Sequence, residues 1–160
     1  MRTNITRFFC LITLAVTVLS LSAADPPGFE HWTASQLKGF EKTLTAKIGP
    51  QKTATQQLAN FGNHAALIAH REGNGQAEMH MVQADVFVVQ SGETTLIVGG
   101  EVVDRKQTRP NEVLGASIRG GTERKLRPGD VVHIPAKTPH QMLVQAGQQV
   151  TYLALKVDTP

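Results

Sequence analysis

The sequence has little cysteine, few aromatic residues and no block of like charge. Its single cysteine is Cys10, so no disulfide can form within the chain. Aromatic residues make up 5% of the 160 residues and charged residues 18%, whereas 41% are hydrophobic. This hydrophobic fraction excludes a disordered chain, and the scattered charges exclude a nucleic-acid-binding surface built from clustered arginine and lysine. The length favours one ordinary domain.

The first 24 residues are typical of a secretory signal peptide. Arg2 and Arg7 give a positive start, and the fourteen residues 8–21 carry no charge. In a helix these would extend about 21 Å, which is less than the hydrocarbon thickness of about 30 Å. The small residues at 22–24 suit cleavage before residue 25. An uncleaved membrane anchor is the alternative.

Cleavage would change the charge and remove the cysteine. Loss of Arg2 and Arg7, without loss of an acid, lowers the net charge from +3 to +1. The remaining 136 residues have no thiol chemistry and depend on a hydrophobic core, which that length can support. We therefore predict a secreted or periplasmic protein, with no nucleic-acid partner and no membrane contact after cleavage.

Residues 25–62 predict an N-terminal helical extension. The stretch from Thr33 to Gln36 has the pattern of a capping box, and apolar residues then recur at helical spacing. The Gly-Pro pair at 49–50 ends the predicted helix. We expect the helix to pack on the outside of the main domain, and the glutamine-rich stretch 51–57 to be a polar connector.

From residue 63 to 157, short β-type runs are separated by glycine and proline. Turn signals at intervals of about 8–12 residues favour a sandwich or barrel over a parallel sheet with crossover helices. The stretch 104–112 is interpreted as a polar loop. The predicted strands lie near 65–71, 77–82, 85–91, 94–98, 101–103, 113–118, 123–127, 131–134, 140–145 and 149–157.

Two strands and a proline-bounded loop carry residues that could bind a metal. Residues i and i+2 of a strand share a face, so Glu78 and His80 project together. Asp85 opens the next strand, and the loop after Pro135 delivers His140 to another. If the sheets bring these residues together, two imidazoles and two carboxylates suit a divalent first-row metal. The alternative is that they are separate surface residues.

Residues 63–157 resemble a cupin domain. The first cupin motif is Gly-x5-His-x-His-x3,4-Glu-x6-Gly, and this sequence reads Gly73-x4-Glu78-x-His80-x4-Asp85-x6-Gly92. The second is Gly-x5-Pro-x-Gly-x2-His-x3-Asn, and this sequence reads Gly129-x5-Pro135-x-Lys137-x2-His140-x3-Val144. The resemblance implies a double-stranded β-helix, a jelly-roll barrel with a ligand pocket between its sheets. The predicted fold class is therefore all-β, with a short N-terminal helix.

The departures from the two motifs bear on the metal. Glu78 stands where the motif has histidine and Asp85 where it has glutamate, while Lys137 and Val144 replace a glycine and an asparagine. The added carboxylate hardens the ligand set and favours manganese, iron or zinc. A metal-free pocket is the alternative. Carried over position by position, the metal set implied by the resemblance is Glu78, His80, Asp85 and His140.

Two further histidines are candidate acid–base residues. His70 ends the strand before the first motif, and His133 lies in the strand before the proline-bounded loop. Imidazole titrates near neutral pH, so either could move a proton in the pocket. A structural role at a strand end is the alternative for each.

Two functions follow as hypotheses. The first is an exported metal-dependent cupin enzyme of the oxygenase, isomerase or lyase type, acting on a small molecule at a mononuclear site. The second is a non-catalytic cupin that binds a small ligand without turnover. Because a small barrel leaves strand edges to cover, we also predict a homodimer, although the N-terminal helix could cover an edge instead.

Overall fold

The computed structural model describes residues 24–160. Residues 1–23, which include all but the last residue of the predicted signal peptide, lie outside the described residues. Within 24–160, no helix is both long and apolar enough to cross a membrane. The elements are helix α1 (Ala34–Thr45) and strands β1 (Thr53–Asn60), β2 (His64–Arg71), β3 (Ala77–His80), β4 (Gln83–Gly92), β5 (Thr94–Val98), β6 (Glu101–Val103), β7 (Lys106–Arg109), β8 (Glu112–Gly115), β9 (Ser117–Arg119), β10 (Thr122–Leu126), β11 (Val131–Ile134), β12 (His140–Leu143) and β13 (Val150–Asp158).

Two large antiparallel sheets form the barrel. One has the strand order β1-β2-β13-β4-β11 and the other β10-β5-β12-β3-β8-β7, while β6 and β9 form a small third sheet. Inward side chains from both large sheets meet in one core, which includes Phe87, Leu96, Met142 and Tyr152. The all-β architecture with one short helix is the predicted fold class, which is confirmed.

Alternation along the strands decides which residues face the barrel interior. In β4, Asp85, Phe87 and Val89 are buried on one face, as the period of two predicts. In β3, Glu78 and His80 face the interior, whereas Ala77 packs with Val102 and Val113 in a second cluster outside. The interior end of β3 is therefore polar although the rest of the core is apolar.

The helix begins as predicted and ends earlier. Thr33 and Gln36 form the expected capping box, in which the Gln36 backbone N–H donates to Thr33 Oγ1 at 3.2 Å and the Thr33 backbone N–H donates to Gln36 Oε1 at 2.8 Å. The last helical residue is Thr45 rather than a residue next to 49–50. Leu44 is fully buried, and the helix contacts β1, β2 and β4 on the outside of the five-stranded sheet.

Two strands lie in stretches that the sequence analysis left out of the sheets. The polar connector expected at 51–57 is wrong, because β1 runs through it and pairs with β2 from Thr53 to Asn60. The expected polar loop 104–112 includes β7, whose four residues are all exposed. Neither stretch has the apolar alternation that marks a half-buried strand. The domain boundaries predicted at 24/25 and 62/63 stay predictions.

Two glycines of the cupin-like motifs have a left-handed backbone, and their surroundings differ. Gly92 ends β4 with φ of 72°, and a Cβ there would overlap the backbone oxygen of Gln149. Gly129 has φ of 91° and nothing within 4 Å of the position that a Cβ would take. Both positions favour glycine by conformation, but only Gly92 also requires it for space.

We predict that Gly92→Ala destabilises the protein much more than Gly129→Ala. A left-handed alanine costs about 1 kcal/mol at Gly129, whereas the clash at Gly92 should raise the loss to about 3 kcal/mol or more. Urea unfolding of the two variants and the wild type measures the difference. Equal losses of unfolding free energy would show that the close approach of Gln149 does not require glycine at position 92.

Candidate metal centre

Backbone pairing brings the ends of the two cupin-like motifs together. His140 is the first residue of β12, and its Cα pairs directly with that of Glu78 in β3. His80 lies two residues further along the same face of β3. One ligand atom from each of Glu78, His80 and His140 lies within 4.8 Å of the others. His140 is far from the other two in the sequence, yet all three residues share a single end of the barrel interior.

The proline-bounded loop is tied to β3 by its backbone. The N–H of Lys137 donates to the backbone oxygen of His80 at 2.7 Å, and Lys137 has φ of 63°. Left-handed φ is what the glycine of the cupin motif would supply without strain, whereas lysine adopts it at a cost of about 1 kcal/mol. The loop thus keeps the motif's conformation although the residue has changed, and it delivers His140 next to His80.

The tautomer of His140 follows from its backbone contact. The backbone oxygen of Thr138 lies 3.1 Å from His140 Nδ1 and can only accept, so Nδ1 donates. In the neutral ring, Nε2 then carries no proton and is an acceptor. This Nε2 lies 3.3 Å from Asp85 Oδ2, and both atoms are buried without a hydrogen-bond partner. Two buried acceptors that face each other require a cation or a proton between them.

The separations of the polar atoms fit a metal ion. Metal–ligand bonds of about 2.1 Å place neighbouring ligand atoms about 3.0 to 3.4 Å apart. Asp85 Oδ2 is 3.3 Å from Nε2 of both His80 and His140, and Glu78 Oε2 is 3.5 Å from His80 Nε2. The donor set of two imidazoles and hard carboxylates suits a divalent first-row ion. The residues present therefore fit a metal.

Asp85 also has a cationic partner, Lys156. The two residues pair across β4 and β13, and Lys156 Nζ donates to Asp85 Oδ1 at 2.9 Å. The same Nζ lies 2.9 Å from His80 Nε2. Sequence reasoning missed this lysine, although the alternation of Tyr152, Ala154 and Lys156 along β13 would have placed it on the inward face.

Burial and mutual charge shift the pKa values of the two acids. Burial raises the pKa of Glu78, but the interaction with His80 and the nearby His140, Lys156 and Arg71 outweigh it and lower the pKa to about 2. Burial likewise raises the pKa of Asp85, but the imidazoles of His140 and His80, each 3.3 Å from Oδ2, together with Lys156 lower it far below its usual range. Both groups are therefore carboxylates at neutral pH.

His80 is shifted in the opposite direction. Burial lowers its pKa, but the carboxylates of Asp85 and Glu78, 3.3 and 3.5 Å from Nε2, outweigh burial and raise the pKa to about 9. Lys156 opposes this rise, because its ammonium lies against the same Nε2. Protonation of His80 leaves Lys156 with Asp85 alone, since a protonated Nε2 cannot accept.

Cavities on both sides of these residues open toward the hairpin of β7 and β8. One of about 210 Å³ is lined by Arg71 and Glu78, and another of about 200 Å³ by His80. A larger cavity of about 550 Å³ lies among residues 104–108 and includes none of the predicted metal ligands. The largest of these three cavities is therefore not the candidate site. The two smaller cavities are chosen because predicted metal ligands line them.

The structure places neither His70 nor His133 at the metal-binding cluster. His70 lies on the outward face of β2, buried under α1, with Nδ1 2.8 Å from Thr151 Oγ1 and Nε2 3.3 Å from Thr45 Oγ1. His133 is exposed on β11, next to the inward-facing Ile134. The acid–base roles considered for them are wrong for a reaction inside the barrel, because strand alternation directs both side chains away from it.

We predict that the metal-free protein is most stable at mildly acidic pH. Glu78, with its pKa lowered from 4.5 to about 2, contributes stability above pH 4.5 that is lost as the pH falls toward 2. His80, with its pKa raised from 6.5 to about 9, contributes stability below pH 6.5 that is lost as the pH rises through 9. The alkaline loss should amount to about 3 kcal/mol at most.

Thermal unfolding in the presence of a chelator, between about pH 3 and pH 10, tests this expectation. His80→Gln should flatten the alkaline decline and also weaken the acidic decline, because the interaction with His80 is the largest of those that lower the pKa of Glu78. A melting temperature that keeps rising between pH 6.5 and pH 9 would contradict the shift assigned to His80.

Comparison with known proteins gives one family match. A family model for the JmjC domain matches residues 44–158, which run from the end of α1 through β13. Among curated proteins, none matches the sequence significantly.

Solved structures share the fold at low sequence identity. The TT1209 protein from Thermus thermophilus is 20% identical with a TM-score of 0.53, over 74% of this chain and 94% of that one. A candidate mannose-6-phosphate isomerase from Ralstonia eutropha is 18% identical with a TM-score of 0.50, over 70% and 90%. A cupin-2 domain protein from Rhodospirillum rubrum is 17% identical with a TM-score of 0.50, over 67% and 60%. The predicted cupin fold is confirmed.

Proposed function

The chain belongs to the JmjC domain family, and we propose on that basis that it is a metal-dependent cupin enzyme acting on a small molecule. One divalent first-row ion would be held by Glu78, His80 and His140, with Asp85 beside them. The carboxylates favour manganese, iron or zinc over softer metals. Such an ion would polarise an oxygen atom of the substrate when bound.

The facing buried acceptors carry this proposal. His140 Nε2 and Asp85 Oδ2 have no donor between them, and they lie beside two further ligand-type side chains. Leaving such groups unpaired in an apolar barrel costs on the order of a few kcal/mol, which a bound cation would remove. The hydrogen bond from His140 Nδ1 to Thr138 would keep Nε2 available as a ligand.

The small cavities beside the cluster support a small-molecule substrate. Volumes of about 200 and 210 Å³ suit a compound of few heavy atoms rather than a folded partner. Lys156 and Arg71 would orient polar groups of that compound next to the ion. Export by the segment 1–24 and pairing into a homodimer are proposals that rest on the sequence patterns alone.

We predict that the wild-type protein binds one equivalent of manganese, iron or zinc and that His140→Gln abolishes this binding. Changing groups that only orient a ligand costs about 10- to 100-fold in metal affinity, so removing a direct ligand should cost more than about 100-fold. Metal analysis and calorimetric titration of chelator-stripped protein measure the change.

His133→Gln is the matched control, since it removes an exposed histidine on β11 outside the cluster. It should leave metal affinity unchanged. A wild-type protein that binds none of the three metals, or a His140→Gln variant that binds as well as the wild type, would refute the metal centre.

Lys156 favours a second function, that of a metal-free module that binds a small ligand without turnover. Its ammonium lies 2.9 Å from both Asp85 Oδ1 and His80 Nε2, where it already supplies positive charge to two of the predicted ligands. In that protein, Lys156 would take the place of an ion in balancing the carboxylates.

We predict that Lys156→Met separates the two functions. At a metal centre, removing a competing positive charge should raise metal affinity about 10-fold or more, because Coulomb repulsion between the ammonium and the ion is lost. Without metal, the variant should lose about 3 kcal/mol of stability, since buried Asp85 loses the ammonium that donates to its Oδ1.

Thermal unfolding with chelator and with added metal distinguishes these cases. Lys125→Met, at an exposed position of β10, is the control and should change neither value. A Lys156→Met protein that is destabilised in both conditions and binds no metal would favour the metal-free module.

A further inference from the structure

Arg71 lies at the end of β2 and extends into the barrel beside the candidate metal centre. Its side chain is 15% exposed, and its Nε donates to the hydroxyl of Tyr152 at 2.9 Å. Tyr152 is itself buried in the barrel core. A guanidinium held at one nitrogen by a buried phenol has a defined direction, and its remaining N–H groups are available to bind another group.

The backbone near Arg71 leaves room for the guanidinium. Gly75 passes so close that a Cβ at this position would lie 3.0 Å from Arg71 Nη1. A larger residue at 75 would press on the end of the side chain and change its direction. The guanidinium is therefore close to Gly75 at Nη1 and is hydrogen-bonded to Tyr152 at Nε.

The cavity of about 210 Å³ shows what that guanidinium faces. Its charged lining consists of two arginines and two glutamates: Arg71, Glu78, Arg109 and Glu112. Arg109 and Glu112 pair with each other at 3.4 Å on the β7–β8 hairpin. Arg71 Nη2 is 3.8 Å from Glu78 Oε1, which is too long for a good hydrogen bond. Glu78 is thus a weak partner for Arg71 and a candidate ligand of the ion.

We propose that this cavity binds the carboxylate or another oxyanion of a small molecule through Arg71. The inference rests on the proposed function, because a metal ion bound by Glu78 would neutralise the negative charge that otherwise lies next to Arg71 and leave the guanidinium available to a ligand. With a divalent ion in place, the two arginines and two glutamates of the lining together with the ion carry a net charge of about +2. An anionic ligand fits that charge, and the planar fork of Arg71 suits two oxygens of one carboxylate.

The test uses the full mature chain loaded with the metal it binds, and malonate as the probe. Calorimetric titration should show malonate binding to the wild type and no binding of the neutral diamide of the same shape. Arg71→Gln should weaken malonate binding at least about 10-fold, in line with the loss of a charge-assisted hydrogen-bond pair. Its metal affinity should not fall, because losing a positive charge near Glu78 removes repulsion toward the ion, whereas a barrel disrupted by the substitution would bind metal more weakly.

Two further variants make the test specific. Tyr152→Phe keeps the charge of Arg71 and removes the acceptor that orients it, so it should weaken malonate binding by a smaller factor. Arg119→Gln removes an exposed arginine that pairs with Glu101 on the small sheet, and it should leave malonate affinity unchanged. Inorganic phosphate is titrated in parallel as a second oxyanion.

The outcomes separate this inference from the proposed function. A metal-loaded wild type that binds neither malonate nor phosphate, or an Arg71→Gln variant that binds malonate as tightly as the wild type, overturns the oxyanion site and leaves the metal centre standing. A wild type that takes up no metal overturns the proposed function. If that metal-free protein still binds malonate in an Arg71-dependent way, the oxyanion site stands without it, and if it does not, both fall.

Discussion

Charge balance inside the barrel is the constraint on which the site depends. Glu78 and Asp85 are carboxylates at the polar end of an otherwise apolar interior, and unpaired charge there is costly. The chain supplies Lys156 to Asp85 at 2.9 Å and Arg71 to Glu78 at 3.8 Å. These partners still leave Asp85 Oδ2 facing His140 Nε2 without a donor. Those two buried acceptors still need a proton or a cation between them.

The backbone produces this arrangement by pairing strands that are distant in sequence. Register places Glu78 opposite His140 and Asp85 opposite Lys156, so each contact follows from a ladder rather than from a flexible loop. The one loop that matters, around Lys137, is bonded to β3 and keeps a left-handed backbone at a non-glycine residue. The left-handed backbone at Lys137 costs about 1 kcal/mol, which the fold tolerates because the strands before and after the loop are both paired in the sheets.

The fold was predicted from the period of the strands and the spacing of the motifs, and the same two features brought together most residues of the candidate site. Alternation alone put Glu78 and His80 on one face, and two motifs with nearly unchanged intervals brought in Asp85 and His140 as a predicted set. The position of His70 could not be predicted from alternation. Both faces of β2 are covered, one by the barrel core and one by α1. The sequence pattern therefore does not show which face of this strand points into the barrel. Strands β1 and β7 were not predicted, because they are recognised by their backbone pairing with β2 and β8 and have no alternating apolar face in the sequence. Lys156 and Arg71 lie outside both motifs; alternation along β13 would have placed Lys156 on the inward face, but only the three-dimensional neighbours show which charged groups the two residues contact.

These two basic residues balance the charge of the two acids in the first motif, one of which, Glu78, stands where the cupin pattern has histidine. Glutamate in place of histidine at position 78 adds a negative charge to the interior, and a barrel with that charge needs a compensating cation. Arg71 and Lys156 together match the charges of Glu78 and Asp85, so the four side chains sum to zero before any ion enters. A divalent ion then makes the interior positive, in a confined space where the field is weakly screened. With an acidic side chain in place of a neutral ligand and two fixed cations beside the acids, a metal held at the proposed centre would keep a positive charge that an anionic ligand could balance.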